Sequence, residues 1–111
     1  MIRPTSERRG HRRFEITCPT VMTDADGAEL LRAKTTNLSD GGALLVPALN
    51  VLPVGREIHI NLRVPRETPN TFMYEDFFSD ARIVRHDPVR GDQSSAMAVR
   101  FAESLNLNLA V

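Results

Sequence analysis

The sequence has little or none of several features that would mark particular classes of protein. It contains one cysteine, Cys18, no tryptophan and five phenylalanines in 111 residues. A single cysteine cannot form an internal disulfide, which fits a reducing compartment. No apolar run approaches the ~20 residues of a membrane-spanning helix, and the N-terminus lacks the apolar segment of a secretory signal. We therefore expect a cytoplasmic protein without membrane insertion.

Motifs of catalytic and metal sites are absent as well. The three histidines, His11, His59 and His86, are far apart in sequence, and no C-x-x-C, H-E-x-x-H or G-x-S-x-G pattern occurs. Cys18 follows the inward alternation of a predicted strand, which indicates a thiol of the core and not a nucleophile. The sequence thus predicts a protein that is not an enzyme and that holds no metal and no cofactor.

Positive charge is concentrated at one end of a chain whose formal net charge is zero. Residues 1–13 carry a net charge of +4, and the rest of the chain carries −4. A nucleic-acid-binding domain usually has a broad basic face and exposed aromatic side chains. Here the basic segment is local, and we expect the strand phenylalanines to pack in the core. We therefore expect no DNA or RNA partner, and a small anion suits the basic segment better. The phenylalanines concerned are Phe72, Phe77, Phe78 and Phe101.

Alternation of apolar and polar residues predicts an all-β fold. Six short strands with turns between them are typical of an antiparallel sandwich or barrel. Residues 1–13 are predicted to be a flexible basic arm, 14–103 the folded domain, and 104–111 either a helical turn or a tail. Strands are predicted from Phe14 onward, over 30–39, 43–48, 56–65, 72–89 (one long bent strand or two) and 95–103.

The segment NLSDGG, residues 37–42, is richer in polar groups than its turn requires. Asp40 and Gly41 account for a tight hairpin, and Gly42 for a further permissive backbone position. Asn37 and Ser39 are two positions apart, so on a strand they would point to the same face. An amide and a hydroxyl side by side would form an uncharged set of hydrogen-bond donors and acceptors.

Arginines upstream of this segment supply a complementary chemistry. Arg8 and Arg12 are four residues apart, and so are Arg9 and Arg13. A guanidinium binds phosphate bidentately, pairs with the O6/N7 edge of guanine and stacks on aromatic planes. Two or three arginines combined with the amide and hydroxyl of residues 37 and 39 would suit a guanine nucleotide.

The order R-x-x-x-R, first strand, [DN]-x-S-x-x-G resembles the paired motifs of the PilZ domain family. The likeness extends to NLSDGGALL and AMAVRF, and so covers about Glu7 to Glu103. Arg8 resembles an extra arginine that often precedes the pair. The spacing of Arg8 and Arg12 fits the first motif too; we prefer Arg9 and Arg13 because the strand alternation begins directly after them. The candidate ligand residues are Arg8, Arg9, Arg13, Asn37, Ser39 and Gly42.

The resemblance implies a six-stranded antiparallel β-barrel that binds cyclic di-GMP, a bacterial second messenger, without catalysis. The arginines would wrap the phosphates and stack on guanine, and the Asn37–Ser39 edge would contact a guanine. The ligand would draw the arm onto the barrel, and a downstream protein effector would read the newly covered surface. The alternative is a PilZ-like protein-interaction module that does not bind nucleotide.

Overall fold

The computed structural model describes residues 12–47, 50–88 and 95–109, and this part of the chain contains six β-strands. Neighbouring strands are antiparallel in the order β1-β2-β3-β6-β5-β4, and β4 pairs with β1 to close a barrel. The prediction of an all-β, six-stranded antiparallel barrel is confirmed. Within these ranges no helix has the length and apolarity to cross a membrane. The strands are β1 Pro19–Thr23, β2 Glu29–Leu38, β3 Gly42–Pro47, β4 Glu57–Glu67, β5 Phe72–Pro88 and β6 Ser95–Phe101.

The core lies inside the barrel and is built from every second residue of the strands. In β4 the buried side chains are Ile58, Ile60, Leu62 and Val64, with more exposed residues between them. This period of two is what a strand with one face on the core requires. Cys18 is fully buried in the same core, and burial raises the pKa of its thiol. The prediction of a core thiol is therefore confirmed.

The first strand begins at Pro19 and not at Phe14 as predicted. Phe14 makes an isolated bridge to Leu38, in which each backbone N–H donates to the other carbonyl at 2.8 and 2.9 Å. Between Phe14 and Pro19 the side chain of Thr35 supplies hydrogen bonds that a ladder would otherwise make. The prediction was wrong because alternation reports burial, which is real at Cys18, and not backbone pairing.

Two of the strand phenylalanines lie on the surface, contrary to the prediction that they pack in the core. Phe72 is 58% exposed and Phe78 is 74% exposed, whereas Phe101 is buried and Phe77 packs against the core. Positions 72 and 78 fall on the outward side of β5. In addition, β1 pairs with β4 only at residues 59–62, so the far half of the β4–β5 hairpin extends past β1.

The segment after β6 joins the core although residues 104–108 contain no regular element. Leu107 is fully buried, and its N–H donates to the carboxylate of Asp40 at 3.0 Å. The N–H of Leu105 donates to the backbone carbonyl of Asp40 at 2.7 Å, and Arg66 of β4 donates to the carbonyl of Leu107. These contacts fix the segment to the loop between β2 and β3.

Candidate functional site

A cavity of about 520 Å³ lies on the outer face of the barrel, where the end of β2 runs beside β3, β6 and β5. Strand register places Asn37 beside Leu44, Leu44 beside Ala98, and Ala98 beside Arg85. One row of side chains thus crosses four strands, about 14 Å along the sheet at ordinary strand spacing. The row has an amide at one end, a guanidinium at the other and an apolar floor between them.

Arg13 reaches this cavity because the residue that follows it, Phe14, is fixed to β2. The Phe14–Leu38 bridge brings the preceding arginine next to the loop that follows β2, and Arg13 lines the cavity. The guanidinium of Arg12 instead lies over the ring of Phe14, 5.5 Å from its centroid. Arg13, Asn37, Ser39 and Gly42 all line the cavity. Arg8 and Arg9 lie outside the described residues.

The hydroxyl of Ser39 organises the loop between β2 and β3. Its oxygen accepts hydrogen bonds from the N–H groups of Gly41 and Gly42, both at 3.2 Å, and the hydroxyl group lies 3.3 Å from the carbonyl of Gly42, to which it donates. The residue is only 7% exposed. Its hydrogen-bonding capacity is therefore used within the loop, and its effect on the cavity is exerted through the backbone that it holds.

The packing of β3 against β6 explains why residue 42 is a glycine, which the turn alone does not explain. A Cβ at this position would stand 2.3 Å from the backbone oxygen of Val99. Real Cβ atoms do not approach a backbone oxygen so closely, so a side chain here would push β3 away from β6. The requirement comes from the close approach of two strands and not from a left-handed backbone conformation.

Two residues that line the cavity were not predicted from the sequence: Arg85 on β5 and Arg100 on β6. Arg100 is the register partner of Gly42, and Arg85 is the partner of Ala98. Neither belongs to the R-x-x-x-R or the [DN]-x-S-x-x-G motif, and only the order of strands in the barrel brings them beside residues 37–42. A signal was present in AMAVRF, where arginine occupies an outward position. The described lining of the cavity holds three arginines and no carboxylate.

A carboxylate does stand next to one of these arginines. The Nε of Arg85 donates to both oxygens of Asp87, at 2.9 and 3.1 Å. This hydrogen bond lowers the pKa of Asp87, and the nearby charge of Arg13 lowers that pKa further. Asp87 therefore lies within electrostatic reach of two of the arginines that line the cavity.

Comparison with known proteins agrees with this fold. A structure of the inhibitor of motility (MotI/DgrA) from Bacillus subtilis matches with a TM-score of 0.70 and 17% identity, over 92% of this chain and 48% of that one. The PilZ domain of YcgR from Escherichia coli, solved with c-di-GMP, matches with a TM-score of 0.57 and 18% identity, over 86% and 79%. This chain spans about half the length of the MotI structure.

The family is shown by sequence. No curated protein sequence matches the chain. A family model described as PilZ domain, however, matches residues 7–109, which is nearly the whole chain and includes every candidate ligand residue. The chain belongs to the PilZ domain family.

Proposed function

We propose that this protein is a non-enzymatic receptor for cyclic di-GMP and that the ligand binds in the cavity between Arg13 and the Asn37–Gly42 loop. One observation carries the proposal. The part of the chain after residue 13 has a net charge of −4, yet two of its arginines, Arg85 and Arg100, join Arg13 at a cavity without a carboxylate in its described lining. Such a site favours an anionic ligand. The related YcgR domain was solved with c-di-GMP.

Different side chains of the cavity would recognise the phosphates and the base of the ligand. Guanidinium groups of Arg13, Arg85 and Arg100 can bind phosphate oxygens in pairs and stack on a guanine plane. The amide of Asn37 offers both donors and an acceptor to a base edge. Ser39 contributes by holding the loop backbone in place, and Gly42 lets β3 approach β6 closely beside Arg100.

The arm completes the site in this proposal. The Phe14–Leu38 bridge fixes the point at which the arm joins the barrel, and Arg9 and Arg8 precede Arg13 in sequence by four and five residues. A ligand with two phosphates would bring these arginines onto the barrel. The surface formed in this way would be read by a downstream protein effector, and the signal would be the change in the arm.

Isothermal titration with cyclic di-GMP and cyclic di-AMP tests the assignment of the ligand. Cyclic di-GMP should bind at least about tenfold more tightly, since each unmatched hydrogen bond at a buried base edge costs about 1–3 kcal/mol. Equal affinities would mean a purely electrostatic site and would contradict the reading of guanine. No binding of either dinucleotide would contradict the proposed function as a whole.

Arg13→Lys tests whether the guanidinium acts by its shape. Lysine keeps the charge but loses the planar fork and the stacking surface, so the affinity of Arg13→Lys should fall to nearly that of Arg13→Ala. Arg32→Lys is a matched control, because Arg32 is an exposed strand arginine that is paired with Glu29 and does not line the cavity. An Arg13→Lys variant that binds like the parent would show that this position acts only as a cation.

One observation favours the alternative of a PilZ-like protein-interaction module that binds no nucleotide. The β4–β5 hairpin exposes Phe72, Met73 and Tyr74, and Phe78 follows on the same strand. Neighbouring exposed apolar side chains often mark contact surfaces between proteins. The titration separates the two functions, because the interaction module would bind neither dinucleotide.

A further inference from the structure

Asp87 places a negative charge beside a cavity whose described lining is cationic. It pairs with Arg85 two positions earlier on β5, and the side chains are 32% and 47% exposed. Both carboxylate oxygens accept from the same Nε, so the guanidinium of Arg85 is drawn along the strand toward Asp87. Arg13, which also lines the cavity, lies near enough to affect the ionisation of the same carboxylate.

We propose that Asp87 is a built-in counter-ion, which competes with the phosphates of the ligand for Arg85 and keeps the affinity of the site below what its arginines alone would give. This inference rests on the proposed function, since the cavity must bind an anion. It assigns a role to a residue outside the two sequence motifs and outside the cavity lining.

The geometry leaves an incoming phosphate two ways to use Arg85, and both act against binding. The phosphate can replace the carboxylate, in which case the existing ion pair is lost. Otherwise it binds the far side of the guanidinium and lies close to a like charge. Both partners are partly exposed, so the effect on affinity is modest, about three- to tenfold.

The opposite role for Asp87 is to orient Arg85 for the ligand. A carboxylate that holds Nε can leave the terminal nitrogens directed at a phosphate, and its removal would then weaken binding. The two roles therefore predict opposite changes in ligand affinity when the charge of Asp87 is removed. A partly exposed ion pair contributes little to orientation, whereas Asp87 opposes a phosphate in both of the placements above, which favours the counter-ion role.

Asp87→Asn in the full chain tests the proposal, because asparagine keeps the shape and an acceptor for Nε but removes the charge. Titration with cyclic di-GMP should give a Kd about three- to tenfold lower than that of the parent. The gain should shrink when Arg85→Ala is also present. Asp76→Asn is the matched control, since Asp76 pairs with Arg63 at 3.1 Å on the β4–β5 surface and does not line the cavity.

Unchanged or weaker binding by Asp87→Asn would overturn the proposal, and so would a gain of the same size without Arg85. If the parent does not bind cyclic di-GMP, the proposed function fails, and inorganic pyrophosphate then serves as the probe for Asp87. Tighter binding of pyrophosphate by Asp87→Asn than by the parent would support the counter-ion. Equal or weaker binding of pyrophosphate would overturn it.

Discussion

Thr35 joins the chain before β1 to β2 through its side chain. Its hydroxyl accepts from the N–H of Cys18 at 2.7 Å and donates to the carbonyl of Ile16 at 2.6 Å, and the residue is 1% exposed. Buried backbone groups need partners, and here one threonine serves two of them. The position of Arg13 at the cavity depends on this attachment, since the same segment leads back to it.

Thr35→Val should therefore destabilise the barrel by about 2–4 kcal/mol, because it leaves the buried N–H of Cys18 and the partly buried carbonyl of Ile16 without their partner. Urea unfolding followed by circular dichroism measures this. Thr36→Val is the matched control, because Thr36 is exposed and its change should cost little. If the two variants unfolded at the same urea concentration, the hydroxyl of Thr35 would not hold the segment.

Gly42→Ala should cost about 1–3 kcal/mol of unfolding free energy or more, because its Cβ would overlap the backbone oxygen of Val99. Gly27→Ala is the comparison, since the space around Gly27 is open and the only penalty there is its positive φ of 85°. Thermal and urea unfolding of both variants decide the point. A loss at Gly42 no larger than at Gly27 would contradict the close-approach explanation.

The positions of the strands could be predicted from the sequence better than the contacts between strands. Alternation predicted β4 well because Ile58, Ile60 and Leu62 pack against one core, so period and burial coincide. Register could not be read locally, and so Arg85 and Arg100 were missed although both line the cavity. The exposure of Phe78 follows from its outward position on β5, and the side of a strand that faces the core depends on the assembled barrel.

The loop between β2 and β3 serves the cavity on one side and the C-terminal segment on the other. Ser39 holds the loop from within, and Asp40 accepts from Leu105 and Leu107. Because consecutive residues face different neighbours, this short loop contacts both the candidate ligand site and the C-terminal segment that carries the buried Leu107.

Asp40→Ala should release the C-terminal segment locally. It removes a charged acceptor from the Leu107 amide, so we expect a loss of about 1–2 kcal/mol and faster hydrogen exchange at that amide. Amides in the middle of β4 should keep most of their protection. Glu103→Ala, which removes an exposed carboxylate nearby, should leave the Leu107 amide unchanged. Unaltered exchange at Leu107 in Asp40→Ala would mean that other contacts hold the segment.

Charge is arranged so that the most basic part of the chain leads directly into the cationic cavity. Residues 1–13 carry a net +4, and Arg13, the last of them, already lines the cavity with Arg85 and Arg100. Asp87 offsets only part of the repulsion among these positive groups, so the cavity still favours an anion. In the proposed function a dianionic ligand would link the arm to the barrel, and the flexibility of the arm itself stays a prediction from sequence.

The arm is the part of the protein that we expect to respond to the ligand. Ordering a backbone costs about 1–2 kcal/mol per residue, and charge-assisted hydrogen bonds from arginines to phosphate can offset that cost only when ligand is present. Trypsin should therefore cut the ligand-free protein readily after Arg8 or Arg9 and more slowly after Arg12 or Arg13, which adjoin the Phe14–Leu38 bridge. Cyclic di-GMP should slow the cuts in the arm selectively. Mass spectrometry of timed digests measures the rates, with cyclic di-AMP as the control ligand.

Ser39→Ala should reduce this protection although Ser39 is outside the arm, because the loop that it holds forms the other wall of the cavity. Its arm should be cut at the parental rate when ligand is absent, which separates a change in binding from a change in folding. If cyclic di-GMP binds tightly in titration while cleavage of the arm is unchanged, arm closure is wrong. The signal would then have to arise on the barrel surface, where the loop between β2 and β3, which contacts Leu107 through Asp40, is the next element to examine.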